Sequence, residues 1–223
     1  MKLCFQTKTW GEGAGWFAQE LALGLAEAGA RVVYIAPPAL PAQRDPRHDN
    51  LSRVMTHREA QSGPKPLRVL SSVRRVLGGY AACIRARTAT GVYLFSIPDP
   101  LVFFLPLLVL LRASGARVFS VVHDPVPHSW PGGVAPSSLK RAVLGVSYRL
   151  TTHLIATTGD CRRDLIDRFG VDPSRVSILP HGAFDLGTAT DLPGDGELLV
   201  FGTLRRNKRV LEAIEAVQLC RRR

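Results

Sequence analysis

Short apolar runs alternate with longer amphipathic stretches along this chain of 223 residues. Runs at residues 2–6, 31–35, 53–56, 92–96, 117–122, 153–157 and 175–179 are mostly continuous in Val, Ile, Leu, Phe and Tyr. Strands covered on both faces read this way, whereas half-exposed strands alternate with polar residues. Between them, helical stretches fall at about 14–28, 66–87, 101–114, 137–150 and 160–169. The last of these stops at Gly170. The alternation predicts an α/β, doubly wound parallel sheet whose ligands bind at the carboxyl ends of its strands. Residues 37–66 mix Pro, Gln, Arg and Asp around one short strand and read as a long surface loop. A Gly/Asp/Thr/Pro-rich linker at 187–196 precedes one more apolar run, 198–201. The expected organisation is a first domain over 1–186, that linker, and the start of a second domain over 197–223.

Two stretches depart from the plain pattern. Residues 101–111 (LVFFLPLLVLL) are apolar throughout but too short to span a bilayer, so a helix buried against the sheet is favoured over a membrane-dipping segment. In residues 65–87, Leu70, Val73, Leu77, Tyr80 and Ile84 recur at helical spacing. Lys65, Arg68, Arg74, Arg75, Arg85 and Arg87 occupy much of the remainder. A basic amphipathic helix lying in an anionic membrane surface has this pattern. So does a core-packed helix with an Arg-rich outer face. Both readings stay open at the level of sequence.

Charge sharpens the first of them. The net charge is +11, and it is concentrated: residues 51–150 hold 13 basic side chains against Glu59, Asp99 and Asp124, an excess of 13 − 3 = +10. Such an excess favours a phosphate-bearing substrate, an anionic lipid or a nucleic acid. The chain has no helix-turn-helix, zinc-finger or RNP signature, and few aromatics interleave with the arginines, so nucleic acid is not expected as a partner. Cysteines 4, 83, 161 and 220 form no CxxC pair and read as scattered thiols of a reducing compartment, with no metal site. Residues 1–5 enter a strand at once without a signal-peptide apolar region, which points to a cytoplasmic protein.

Three motifs carry candidate chemistry. Gly11-Glu12-Gly13-Ala14-Gly15 reads as a glycine loop between the first strand and a helix starting near Trp16, with Gly13 and Gly15 letting backbone N–H groups approach a phosphate or sugar hydroxyl. A dinucleotide fingerprint fails there, because Trp16 takes the third glycine's place and the second strand ends in Ala36-Pro37-Pro38 with no acid for a ribose. His123-Asp124 follows the fifth strand, where a side chain faces the ligand crevice of an open α/β sheet. His128 and Trp130 in the loop beyond read first as plain loop residues, with ligand contact as the alternative. Gly202-Thr203-Leu204-Arg205-Arg206-Asn207-Lys208 opens the second domain with a basic cluster suited to an anion.

The order of these features, from residue 119 to residue 216 above all, resembles the family-4 glycosyltransferases of the GT-B fold, which move a sugar from a nucleotide diphosphate. The resemblance implies two Rossmann-like domains, the second cut short early, and a nucleotide-sugar as donor substrate with no cofactor. It implies that His123 lies near the donor sugar, with Asp124 in a supporting or acceptor-side role. Gly13, Gly15, Gly202, Arg205 and Lys208 would face the donor diphosphate. Thr203 stands where many members have Arg, and Arg209 where a glycine is usual. The family's paired glutamates would fall beyond residue 223, and Glu212 and Glu215 have the wrong spacing for that role. The implied reaction is metal-independent and retaining, with a glycan or polyprenyl-diphosphate-linked acceptor at the inner face of a bacterial membrane. The 223-residue chain itself is expected to be catalytically weak, with a non-enzymatic membrane- or glycan-binding module as the alternative.

Overall fold

The computed structural model describes residues 1–9, 12–38, 45–57, 63–96, 101–126, 138–180 and 210–220. Among the described residues seven parallel strands form one sheet: β1 (Lys2–Thr7), β2 (Arg31–Ala36), β3 (Leu51–Met55), β4 (Val92–Ser96), β5 (Arg117–Val122), β6 (His153–Ala156) and β7 (Val176–Ile178). Their order is β3-β2-β1-β4-β5-β6-β7. Helices α1 (Glu12–Glu27), α2 (Lys65–Ala86), α3 (Leu101–Ala113), α4 (Ser138–Leu150) and α5 (Gly159–Phe169) connect them. The fold is the expected α/β Rossmann-like sheet, with each element within a few residues of its sequence-based position.

Chain direction reverses at β1. The connection through α1 runs outward to β2, whereas that through α2 crosses back over β2 and β1 to β4. Right-handed crossovers therefore put α1 on one face and α2 to α5 on the other. On the second face, Ala82, Cys83 and Ala86 of α2 and Phe104, Leu107, Leu108 and Leu111 of α3 pack on Cys4, Ile35, Tyr93, Phe95 and Val118. Leu144 and Tyr148 of α4 and Cys161, Leu165 and Phe169 of α5 continue that layer over Val122, Leu154 and Ala156. From the 101–111 stretch Phe104, Leu107, Leu108 and Leu111 are buried in this core, as favoured, while Pro106, Val109 and Leu110 reach solvent. No helix among the described residues is long and apolar enough to cross a membrane.

α2 sits differently from a core-packed reading of its stripe. Its buried residues are Arg75, Val76, Gly79, Ala82, Cys83 and Ala86. Leu70, Val73, Leu77 and Ile84 are exposed instead, and only Tyr80 packs against the core. Small residues hold most of the inner face, and at Gly79 the helix comes closest to the sheet. A Cβ on Gly79 would stand 3.2 Å from Gln6 Nε2 of β1.

By its internal contacts the chain divides into two compact units, residues 1–182 and 183–223. The expected linker at 187–196 and strand at 198–201 lie outside the described residues. In the second unit the structure describes one helix, α6 (Val210–Cys220).

Candidate functional site

The reversal between β1 and β4 makes the carboxyl edge of the sheet at these strands the place where an open α/β sheet takes its ligands. Residues at that edge are in register: Thr7 pairs with Ser96, and Ser96 with Val121. Beyond β1 the chain turns at once, with the Thr7 hydroxyl donating to Thr9 O at 3.2 Å. α1 then begins at Glu12 rather than near Trp16, which corrects the sequence reading of a glycine loop. Gly13 and Gly15 belong to the first helical turn, and neither has the positive φ of a tight loop. The low helix propensity of Gly13 and Gly15 is overridden there, as tertiary context routinely overrides it. The backbone N–H groups of that turn are those an α-helix leaves without intrahelical partners. Trp10 and Gly11 lie outside the described residues.

His123 stands opposite this turn. Its Nε2 lies 3.3 Å from the hydroxyl of the wholly buried Ser96. Phe17, one turn into α1, meets the imidazole edge to face, with ring centroids 5.2 Å apart. The ring is therefore held from two elements while His123 keeps partial solvent exposure. Neither Ser96 nor Phe17 was singled out from sequence. Ser96 had a usable signal as a polar residue closing an otherwise apolar strand; Phe17 reads as ordinary helix core.

Behind His123 the strand end is pinned. Val122 O accepts from Thr157 N at 3.2 Å and from the Cys161 thiol at 3.2 Å. Asp124 Oδ1 accepts from Val126 N at 3.2 Å, closing a turn directly after the histidine. Tyr148 of α4 donates its hydroxyl to Pro125 O at 2.9 Å and fixes that turn from the core side. Burial, with smaller contributions from Cys161 and Asp124, raises the Tyr148 phenol well above its ordinary value, so it stays a neutral donor. Burial likewise pushes the Cys161 thiol up to about 11.

Of the residues named from sequence, the structure thus brings Gly13, Gly15, His123 and Asp124 to one edge of the sheet. Gly202, Arg205, Lys208, His128 and Trp130 lie outside the described residues. Among the described residues there is no group of three His, Cys, Asp or Glu side chains that could hold a metal ion.

This architecture has relatives. A sequence model of Glycosyltransferase Family 4 matches residues 11–183, most of the chain. The chain belongs to glycosyltransferase family 4. Among solved structures, HepE of Anabaena in complex with UDP matches at a TM-score of 0.53 and 13% identity, over 82% of this chain and 44% of that one. The complex of HepE with UDP and glucose matches at 0.54 and 12%, over 82% and 45%. At such identities the likeness is one of fold. This family-4 chain spans less than half the length of those structures. No curated protein sequence matches it.

Proposed function

We propose that residues 1–182 are the acceptor-side half of a retaining glycosyltransferase that transfers a hexose from a nucleoside diphosphate to a glycan or lipid-linked acceptor. The observation that carries this reading is His123, oriented by Ser96 and Phe17 at the carboxyl edge of the sheet in a chain of this family. The UDP and glucose held by HepE support a uridine diphosphate hexose as the donor to try first. In the reaction, an acceptor hydroxyl oxygen bonds to the anomeric carbon as the bond from that carbon to the diphosphate oxygen breaks. The electron pair stays on the diphosphate, which also receives the acceptor's proton.

His123 serves as a neutral hydrogen-bonding group for the donor sugar, and the α1 N-terminus at Gly13 and Gly15 as a favourable place for negative charge. Asp124 shapes the turn that presents His123. Gly202, Arg205 and Lys208 are the proposed cations and backbone contacts for the diphosphate, because charge developing on a leaving group is stabilised by fixed positive groups. A role in bacterial polysaccharide assembly follows from the acceptor class proposed.

The test is a titration of the purified chain with UDP-glucose, followed on the imidazole proton signals of its six histidines. The His123 signal is assigned by its loss in His123→Gln. It is expected to move with added donor. A His123 signal that holds still at donor concentrations that shift another imidazole signal overturns the role of His123. Sustained sugar transfer by the 223-residue chain would overturn the expectation that this chain alone is catalytically weak.

A further inference from the structure

The sheet is also open at its amino edge, the end opposite His123. Cys4, Val33, Ile35 and Val54 face α2, since all four pack in the core cluster beneath that helix. Side chains two apart along a strand share a face, so Lys2 of β1, Arg31 of β2 and Ser52 of β3 point to the same side. Register brings them together: Lys2 pairs with Arg31, and Val33 with Ser52. α2 covers this face near the carboxyl edge, where a Cβ on Gly79 would meet Gln6 and Thr56. Its end is tied toward α3 instead, with the Arg87 guanidinium donating to Ser114 Oγ at 2.9 Å. Among the described residues this leaves the amino ends of β2 and β3 open on that side, with Arg31 and Ser52 exposed. The opening is a cavity of about 260 Å³ lined by Val33, Lys2, Arg31, Ser52 and Asp49.

A braced turn presents Asp49 to this cavity. Leu51 N donates to His48 O at 2.9 Å, Asn50 N to His48 Nδ1 at 3.0 Å, and Asn50 Nδ2 to Ala26 O at 3.1 Å. Among the described residues no ion pair joins Asp49 to Lys2 or Arg31. We propose that this cavity binds a small phosphorylated sugar. A guanidinium, an ammonium and a hydroxyl together make a donor set for a phosphate monoester. The Asp49 carboxylate repels a phosphate but accepts from sugar hydroxyls, so it favours a ligand that carries both. Two cations against one carboxylate leave the cavity net positive, as such a ligand requires. Size points the same way. Pockets for drug-sized ligands hold roughly 300–1,000 Å³, and this smaller volume suits a hexose phosphate better than a nucleotide-sugar. Lys2 and Thr7 stand at opposite ends of β1, about 17 Å apart at about 3.3 Å per residue, so the cavity is separate from the edge that holds His123. The proposal therefore stands apart from the transferase reading.

Isothermal titration calorimetry of the purified 223-residue chain tests it, with glucose 6-phosphate, inorganic phosphate and glucose as probes. Glucose 6-phosphate is expected to bind more tightly than either of the others. Arg31→Gln should weaken it about tenfold, the loss of one charge-assisted hydrogen-bonding group. Asp49→Ala should weaken glucose 6-phosphate yet tighten inorganic phosphate, because it removes a sugar-hydroxyl acceptor and a repulsive charge together. Both side chains are exposed, so neither substitution disturbs the core. Absence of saturable glucose 6-phosphate binding, or binding unchanged in Arg31→Gln, overturns the proposal. Inorganic phosphate bound as tightly as glucose 6-phosphate overturns it too, since the sugar would then play no part. So does loss of glucose 6-phosphate binding in His123→Gln, which would place the ligand at the carboxyl edge instead.

Discussion

One carbonyl anchors the residue on which the proposed chemistry turns. Val122 O accepts from the backbone and hydroxyl of Thr157 and from the thiol of Cys161, so the strand end before His123 is fixed on the core side. The thiol is a donor only while protonated. Its ordinary value is 9.0, and in the fold burial lifts it to about 11. A raised value means the fold favours the neutral form. The stabilisation is therefore complete below pH 9.0 and is lost as pH rises through about 11. The checkable consequence is reactivity. At pH 8 iodoacetamide should modify the exposed Cys220 quickly while Cys161 stays protected until urea is added. Equal rates for the two would remove the buried thiol from this account. The position of His123 after a buried strand was legible in the sequence. Its partners were not, because Ser96 and Phe17 meet it only through the pairing of β4 with β5 and the crossing of α1.

Among the elements, α5 shows sequence and structure agreeing at both ends. Thr158 accepts from Cys161 N at 3.0 Å as the N-cap, and Gly170 closes the helix with φ 62°, its N–H donating to Ile166 O at 3.0 Å. Val171 N reaches Leu165 O, which completes the left-handed C-terminal motif. Thr158→Ala should cost about 1 kcal/mol in urea unfolding and Thr158→Ser much less. Gly170→Ala forces a Cβ into the left-handed region and should cost about 1–2 kcal/mol. α2 is the contrasting case. Its periodicity identified a helix with one apolar side, but periodicity carries no information about which side faces the sheet. Packing chose the side of Arg75, Val76, Gly79, Ala82, Cys83 and Ala86, with the closest approach at Gly79, where a Cβ would meet Gln6. The glycines before Trp16 misled for a related reason: a run of small residues is read as a turn locally, while the crossover from β1 to β2 carries it into the first turn of α1.

For the whole molecule, the division of cores sets what can fold by itself. Among the described residues, the two hydrophobic clusters of α2–α5 draw on positions 4–176. The sheet likewise closes its ladder at β7, with Ile178 paired to Ala156. The family match ends at residue 183, beside the limit of the first compact unit. A parallel sheet whose described strands, helices and cores all lie within one compact unit has what an autonomous domain needs. Residues 1–182 expressed alone should therefore melt cooperatively, with a Tm within about 2–4 °C of the 223-residue chain, the shift that 1 kcal/mol produces in a domain of this size. Differential scanning calorimetry of the two chains makes the comparison. A fragment that melts without a heat-capacity peak would mean that residues 183–223 supply part of the core, and the boundary after Gly182 would have to move. A matching peak would make the fragment the simplest material for the donor titration, since His123, Gly13 and Gly15 all lie within it.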